Sequence, residues 1–584
     1  MQVRDAVTAC AAALGLCLGA AGATSSPVAD AAMNGDLGAV QTLLRQKADV
    51  NAPQSDGATA IQWASYRNDL AMADALIQAG ADVKLANHDG ATPLSLASIN
   101  GSAPMIEKLL KAGADPNERQ PHGETPLMFA ARNGNADAIR VLLDHGAEVN
   151  AKEDLRGTTA LMWAAEQGHA QAVKLLVEHK ADISAASNPA TKGHKAYLAP
   201  TIEARLKSAQ GSGGLRSQFR GRGLGAPGRG GAKGEDGVAA ADRRAAFLAF
   251  GRLTDKDGGG LTPLVFAARQ NCLECVKALL DGGADVNQVT HYGWTALLTA
   301  TQNRHYKLGI YLLDHGANPN IANKGGWTPL YLAVDNRNIE GGDYPVRQAD
   351  MDHLDYIKQL IAHGANVNAR VCGVMSTPQK CVGDSTETRT IFTMQWLYED
   401  GATPFLRAAQ SGDVELMKLL LAHGADPKIA TAHGVTALEV ASGIGWVEGV
   451  TYEWSPRENV EAVKMCLDLG IDPNAADQEG RTALHGAAHK GRNEVVQLLV
   501  DHGAKLDAHD HGSRDTVNGA LLGHTWIPLD YAQGLVRVGV QSAIPHPETA
   551  DLLRKLMRAR GIPVPPPITS SICLTTLCKG GGAQ

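Results

Sequence analysis

Cys272 and Cys275 stand two residues apart in NCLEC (271–275), and that spacing serves three chemistries. A redox dithiol at a helix N-terminus would have a lowered thiol pKa. A zinc site would need two more ligands, and no second Cys/His cluster has metal-ligand spacing. The third reading is a disulfide across one helical turn, or a free pair inside ordinary helical structure. The flanking sequence GLTPLVFAARQNCLECVKALLDGGADVNQ places Cys272 at a helix start. Cys275, one turn along, falls on a position expected in the core. That context favours the structural reading.

Other reactive residues fall into similar order. Cys372 and Cys381 flank a short step and are expected to bond, rigidifying a loop without its own core. Cys573 and Cys578 would close a small loop near the end of the sequence. Cys466, in VEAVKMCLDLG, falls on a buried helical position and reads as a free thiol. Of the 20 histidines, His145, His315, His363, His423 and His502 each precede a glycine that closes a helix. There they favour the negative end of the helix dipole. His509-Asp510-His511 is the one dense His/Asp cluster, and a solvated turn is favoured over a metal. No G-x-S-x-G, H-E-x-x-H, Walker loop or dinucleotide fingerprint occurs. No catalytic residue, metal ligand or cofactor site is therefore expected.

What positions these residues is a long, repetitive chain. At 584 residues it exceeds one compact core and calls for several domains or an elongated array. A net charge of −7 argues mildly against a duplex nucleic-acid binder. Arg4 precedes an apolar run from Ala6 to about Ala21, and Ala21-Gly22-Ala23 fits a small-x-small cleavage site. Residues 1–23 therefore read as a secretory signal peptide of an exported, bacterial-type protein, periplasmic or secreted. If they are instead a buried helix, the chain is cytoplasmic. No other stretch is apolar enough to span a bilayer.

The strongest signal is periodic. Gly57-Ala-Thr-Ala-Ile61, Gly90-Ala-Thr-Pro-Leu94, Gly123-Glu-Thr-Pro-Leu127 and Gly157-Thr-Thr-Ala-Leu161 recur about every 33 residues. The period returns at Gly260, Gly293, Gly326, Gly401, Gly434 and Gly480, and a degraded copy ends at Leu529. Each unit closes on GADVN-like motifs such as 80–84, 146–150 and 283–287. Within one unit Thr125 caps a helix and Pro126 fills its first turn, where the missing N–H costs nothing. Gly134 ends that helix. Residues 136–143 make a second, with Ile139, Leu142 and Leu143 on one face. Gly146 then supplies a C-cap. Such a unit cannot bury its face alone and must stack, which makes a solenoid of about twelve units.

This pattern resembles the ankyrin repeat family, over roughly two-thirds of the chain. The resemblance implies an all-α solenoid of stacked helix-turn-helix repeats with projecting hairpin loops and a concave face, here interrupted by insertions. The family's histidine after T-P-L survives only in Thr482-Ala-Leu-His485. Gln62, Ser95, Met128, Met162, Val265, Leu298 and Tyr331 replace it. Its hydrogen bonds are therefore expected to be mostly absent, with apolar packing in their place.

The organisation expected is an N-terminal stack over 26–186 and an insertion over 187–258 containing a disordered Gly/Arg-rich linker, 211–237. Central repeats span 259–368 with an insertion at 336–350, and an inserted loop spans 369–399. C-terminal repeats span 400–562 with an insertion at 443–457, and 563–584 is a tail. Two candidate surfaces follow. The aromatic insertions carry Trp396, Tyr398, Trp446, Tyr452 and Trp454, either anchoring their own loops or forming a partner-binding hot spot. The concave face implied by the resemblance carries Trp294 and Trp327 between Gly and Thr. Arg132, Gln167, Arg269, Gln270, Gln302 and Asn303 fall between helices. The expected function is a non-enzymatic protein-binding scaffold whose partners are one or more unidentified proteins. A permanent accessory subunit is the alternative, and a small-ligand binder or enzyme using the insertions is a third class. Nucleic acid is disfavoured, and the sequence does not fix the oligomeric state.

Overall fold

The computed structural model describes residues 26–188, 259–338, 348–371, 401–445, 452–512, 525–536 and 544–566. These are all-α: twenty-four helices in twelve pairs, with no strand among the described residues. The chain divides into two units, Met1–Asp182 and Ile183–Gln584. Five pairs belong to the first, from Pro27–Met33 with Leu37–Arg45 to Ala160–Gln167 with Ala170–Glu178. Seven belong to the second, from Pro263–Arg269 with Leu273–Asp281 to Pro528–Ala532 with Pro547–Ala559.

Each pair is punctuated as its residue types require. Thr92, Thr125, Thr159, Thr262, Thr295, Thr328 and Thr403 sit at N-caps, and each hydroxyl accepts the amide three residues on. Gly134 stops its helix at φ +86°, a conformation that costs other residues free energy. In six pairs the second helix runs into a histidine. His145, His315, His363, His423 and His502 each place Nδ1 2.7–2.9 Å from the carbonyl four residues back. A carbonyl only accepts, so Nδ1 carries the proton, which agrees with the helix-end reading of these residues.

The stack is sewn together by the last residue of the GADVN motif. The Asn117 side chain donates to Gly146 O at 3.0 Å and accepts from Glu148 N at 2.7 Å. The same double bond recurs from Asn51, Asn150, Asn287, Asn320, Asn368 and Asn474 to the next repeat. An amide suits this task because it offers a donor and an acceptor on one rigid group. These residues thus do more than shape a projecting turn. They clamp register between repeats.

The histidine replacements follow two routes. Met128, Met162, Val265, Leu298 and Tyr331 are buried, as expected for apolar substitution. Gln62 departs from that expectation. Its Oε1 accepts the Thr59 amide at 2.6 Å, and its Nε2 donates to Leu85 O and Ala91 O. Ser95 Oγ likewise accepts the Thr92 amide at 2.9 Å. The polar network survives there with different atoms, because any side chain with an acceptor at that reach can serve.

Candidate functional site

The first helix of each pair is called the inner helix, and the inner-helix face of the first unit is built from two registers of the repeat. Four residues after each cap position, starting at Ser26, stand Asp30, Trp63, Leu96, Phe129 and Trp163. Seven residues after it stand Met33, Tyr66, Ile99, Arg132 and Glu166. The two registers are one helical turn apart and share a face. Met33, Tyr66 and Ile99 are 40%, 60% and 49% exposed. They recur at a strict interval of 33 and end at exposed Arg132. Trp63, Leu96, Phe129 and Trp163 lie half-buried beside them. Exposed apolar side chains that recur at one register of consecutive repeats differ from isolated ones, which are ordinary on a protein surface.

Polar bonds hold the rings in place. Trp63 Nε1 donates to Gln54 Oε1 at 2.7 Å, and Gln54 Nε2 donates to Asp30 at 2.6 Å. Trp163 Nε1 donates to Thr158 Oγ1 at 2.8 Å, and that hydroxyl donates to Glu153 at 2.7 Å. Burial works against the Glu153 carboxylate, but the Thr158, Arg156 and Leu155 amides and the Thr158 hydroxyl keep its pKa below the ordinary value. Trp63 meets Tyr66 edge-on at 5.9 Å, and Phe129 meets Trp163 at 6.0 Å. Arg132 lies 5.8 Å over the Trp163 ring. Every indole N–H on this face is satisfied from within the protein, so the ring faces remain as the available surface.

The second unit treats the same registers differently. Phe266, Thr299, Leu332, Arg407 and Val440, the counterparts of Trp63, are all buried. Of the counterparts of Tyr66, Asp335, Gln410 and His489 are buried, and Arg269 and Gln302 are partly buried. Arg407 binds Asp335 at 2.7 Å and the Asn338 carbonyl at 2.7 Å, with both charges out of water. Arg337 binds Asp413 at 2.7 Å.

The residues singled out from sequence therefore separate. Arg132 and Gln167 are exposed on the first unit. Trp294 is half-buried and Gln270 exposed on the second; Arg269 stands 5.0 Å over Phe266. Gln302 and Asn303 are partly buried, and the Asn303 amide turns back onto Thr299 O at 2.8 Å. Trp327 is corrected outright: it is 2% exposed, edge-on against Tyr331 at 4.9 Å, and presents no ring to a partner. Trp454 anchors its own segment, donating from Nε1 to Asn338 at 3.0 Å beneath Arg337, while Tyr452 remains 40% exposed. Trp396, Tyr398, Trp446, Cys372, Cys381, Cys573 and Cys578 lie outside the described residues, as do 1–23 and 211–237. Met33, Tyr66 and Ile99 were not anticipated, although counting back from Arg132 by the repeat interval reaches all three.

Cys272 and Cys275 are joined in a disulfide, and Cys466 is a buried free thiol that burial pushes up to about 12. The His509-Asp510-His511 cluster is dispersed into structural roles. Asp510 accepts from the Trp526 and Gly512 amides and from the Tyr531 hydroxyl. His509 pairs with Thr525, and His511 with Gln478 O. Among the described residues no group of three or more His, Cys, Asp or Glu is placed to hold a metal. No helix among them is long and apolar enough to cross a membrane.

Comparison with known proteins adds the following. The family model described as ankyrin repeats (3 copies) matches residues 28–120, 104–187, 240–323, 264–371 and 455–527. The single ankyrin repeat model matches 400–432. No curated protein matches the chain. Among solved structures, the human ASB11 ankyrin repeat domain is 24% identical, covering 47% of this chain and 92% of that one, at a TM-score of 0.32.

Proposed function

The chain belongs to the ankyrin repeat family, and from that premise we propose a protein-binding scaffold whose docking surface is the inner-helix face of the first unit. One observation carries the placement: Met33, Tyr66 and Ile99 expose large apolar side chains at one register of three consecutive repeats, flanked by held aromatic rings. Clustered aromatic and Arg side chains are the usual anchors of protein interfaces. The role needs no bond-making chemistry. The test is partner capture by the full chain and by Tyr66→Asp/Ile99→Asp. Loss of the partner from the variant, with helicity kept, supports the placement; equal capture rejects it.

The same exposed row favours a second reading, a permanent subunit whose face is covered in its complex. Purification distinguishes them. A scaffold stays soluble and monodisperse alone, and a permanent subunit self-associates unless Tyr66 and Ile99 are made polar.

The chain is also proposed to act outside the cytoplasm, in the periplasm or secreted, as a bacterial-type exported protein. The support is the apolar run Ala6–Ala21 followed by Ala21-Gly22-Ala23. N-terminal sequencing of the mature protein tests it: a start near Thr24 agrees, and a start at Met1 refutes it.

A further inference from the structure

An extended segment, Tyr452-Glu453-Trp454-Ser455, lies across the inner-helix ends of the second unit and is bonded like a bound peptide. Its backbone contributes two donors: Tyr452 N to Asn338 O at 3.2 Å and Trp454 N to Ser411 O at 3.4 Å. Side chains alternate, as in any extended chain. Tyr452 and Trp454 meet edge-on at 5.3 Å. Trp454 sits under the Arg337 guanidinium, 4.5 Å from its ring centre, and donates to Asn338 Oδ1. Glu453 turns to the other side, where it binds Arg492 at 2.9 Å and Asn459 at 2.8 Å, with Lys490 at 3.8 Å. Pro456 then opens the helix Pro456–Asp468, with Ser455 as its cap, so the segment is tethered firmly at one end.

What lies against the segment is polar. Arg337 is paired with Asp413, Arg407 with Asp335 and Ser411, and Asn338 bridges Val334 O and Asp413. A loop packed for stability alone covers apolar side chains, whose exposure is expensive. Charged and amide groups are accepted by water when uncovered. Lifting the segment thus trades its protein hydrogen bonds for solvent ones and frees the Trp454 ring from Arg337.

We propose that residues 452–455 are a displaceable internal ligand. They fill a groove, formed by the ends of helices Pro329–Arg337 and Pro404–Ser411 with Arg492, that recognises an extended aromatic–acidic–aromatic peptide. The chain supplies that peptide itself, so the groove is closed at rest and opens to a competing segment of the same pattern. The inference concerns the second unit and stands apart from the docking face assigned to the first.

Hydrogen exchange on the full wild-type chain tests displacement. The Tyr452 and Trp454 amides are expected to exchange at least tenfold faster than the core amides of Pro404–Ser411, reporting opening without unfolding. Equal rates overturn the proposal. A labelled peptide covering 452–457 tests recognition. It is expected to bind Glu453→Ala/Trp454→Ala at least tenfold more tightly than wild type, and to lose that gain when Arg337→Ala is added. Failure to bind a variant whose helix amides keep wild-type protection overturns it. If that variant loses protection, the wild-type exchange rates decide alone.

Discussion

Replacing Glu439 by Gln should stabilise the second unit at neutral pH and flatten its pH dependence. Glu439 is buried, three residues after the cap Thr436. One carboxylate oxygen accepts the Thr436 amide at 2.5 Å, and the other is buried without a hydrogen-bond partner. Sister repeats show what belongs there. At the same register Gln62 Nε2 meets Ala91 O at 2.6 Å, and His485 Nε2 meets Trp526 O at 3.2 Å. In each case the target is the carbonyl just before the next cap position. By the same register, the Arg481 carbonyl, just before the cap Thr482, is the group a donor on the Glu439 side chain is expected to meet. Protonation supplies the missing donor. Burial is the main cause that raises the Glu439 pKa from 4.5 to about 8, and Asp477 adds to it against the Thr436 bonds and Arg481.

The folded state therefore holds a proton that the unfolded chain has released. The Glu439 contribution to stability falls as pH rises from 4.5 to about 8 and is flat outside that window. The slope reaches about 1.4 kcal/mol per pH unit, which sets a ceiling of about 3 kcal/mol at pH 7. Gln carries the donor at every pH and no charge. Glu439→Gln should thus gain about 1 to 3 kcal/mol at pH 7 and almost nothing near pH 4. Denaturant unfolding of both proteins across the window measures the difference, with hydrogen exchange over 437–468 to localise it. Other titrating groups, such as His485, which burial lowers to about 4, cancel between the two proteins. Parallel pH profiles, or a variant less stable at pH 7, would refute the reasoning.

Arg407→Ala should destabilise the second unit by about 3 to 5 kcal/mol, because it breaks the buried ion pair with Asp335 and removes the bond to the Asn338 carbonyl; unfolding at pH 7 measures it. Asn320→Ala removes both bonds to Gly364 O and Asn366 N and should cost about 1 to 2 kcal/mol. Asn303→Ala, which removes only a bond to its own helix, should cost less. Alkylation of the native chain should label neither Cys272 nor Cys275 until a reductant is added, and Cys466 only after unfolding. Labelling of Cys272 in untreated protein would contradict the disulfide.

Local physics made much of this molecule readable. Capping Thr, first-turn Pro, the helix-ending histidines and the repeat interval each act within a few residues, and the structure places them where those rules require. The Asn clamp was half legible: the recurring motif was evident, but its partners lie in the next repeat. The difference between the two inner faces was not legible. It depends on pairings such as Arg407 with Asp335, 72 residues apart in sequence. Trp327 shows the consequence. A repeat template assigns it the same exposure as Trp294, and only its packing against Tyr331 tells them apart. Tyr66 and Ile99 are hard to read from sequence for the opposite reason. A single Tyr or Ile at a helix end is ordinary, and only their shared register gives them meaning.

Site-specific photocrosslinking tests the central claim most directly. Photoreactive residues placed at positions 66 and 99 of the full chain should give adducts with one common protein. Position 289, whose Val is 48% exposed on the second unit, should give none. Adding Arg132→Asp should remove the adducts at 66 and 99. Adducts at 289 with none at 66 or 99, or adducts indifferent to Arg132, would contradict the assignment of the first unit's inner face as the docking surface.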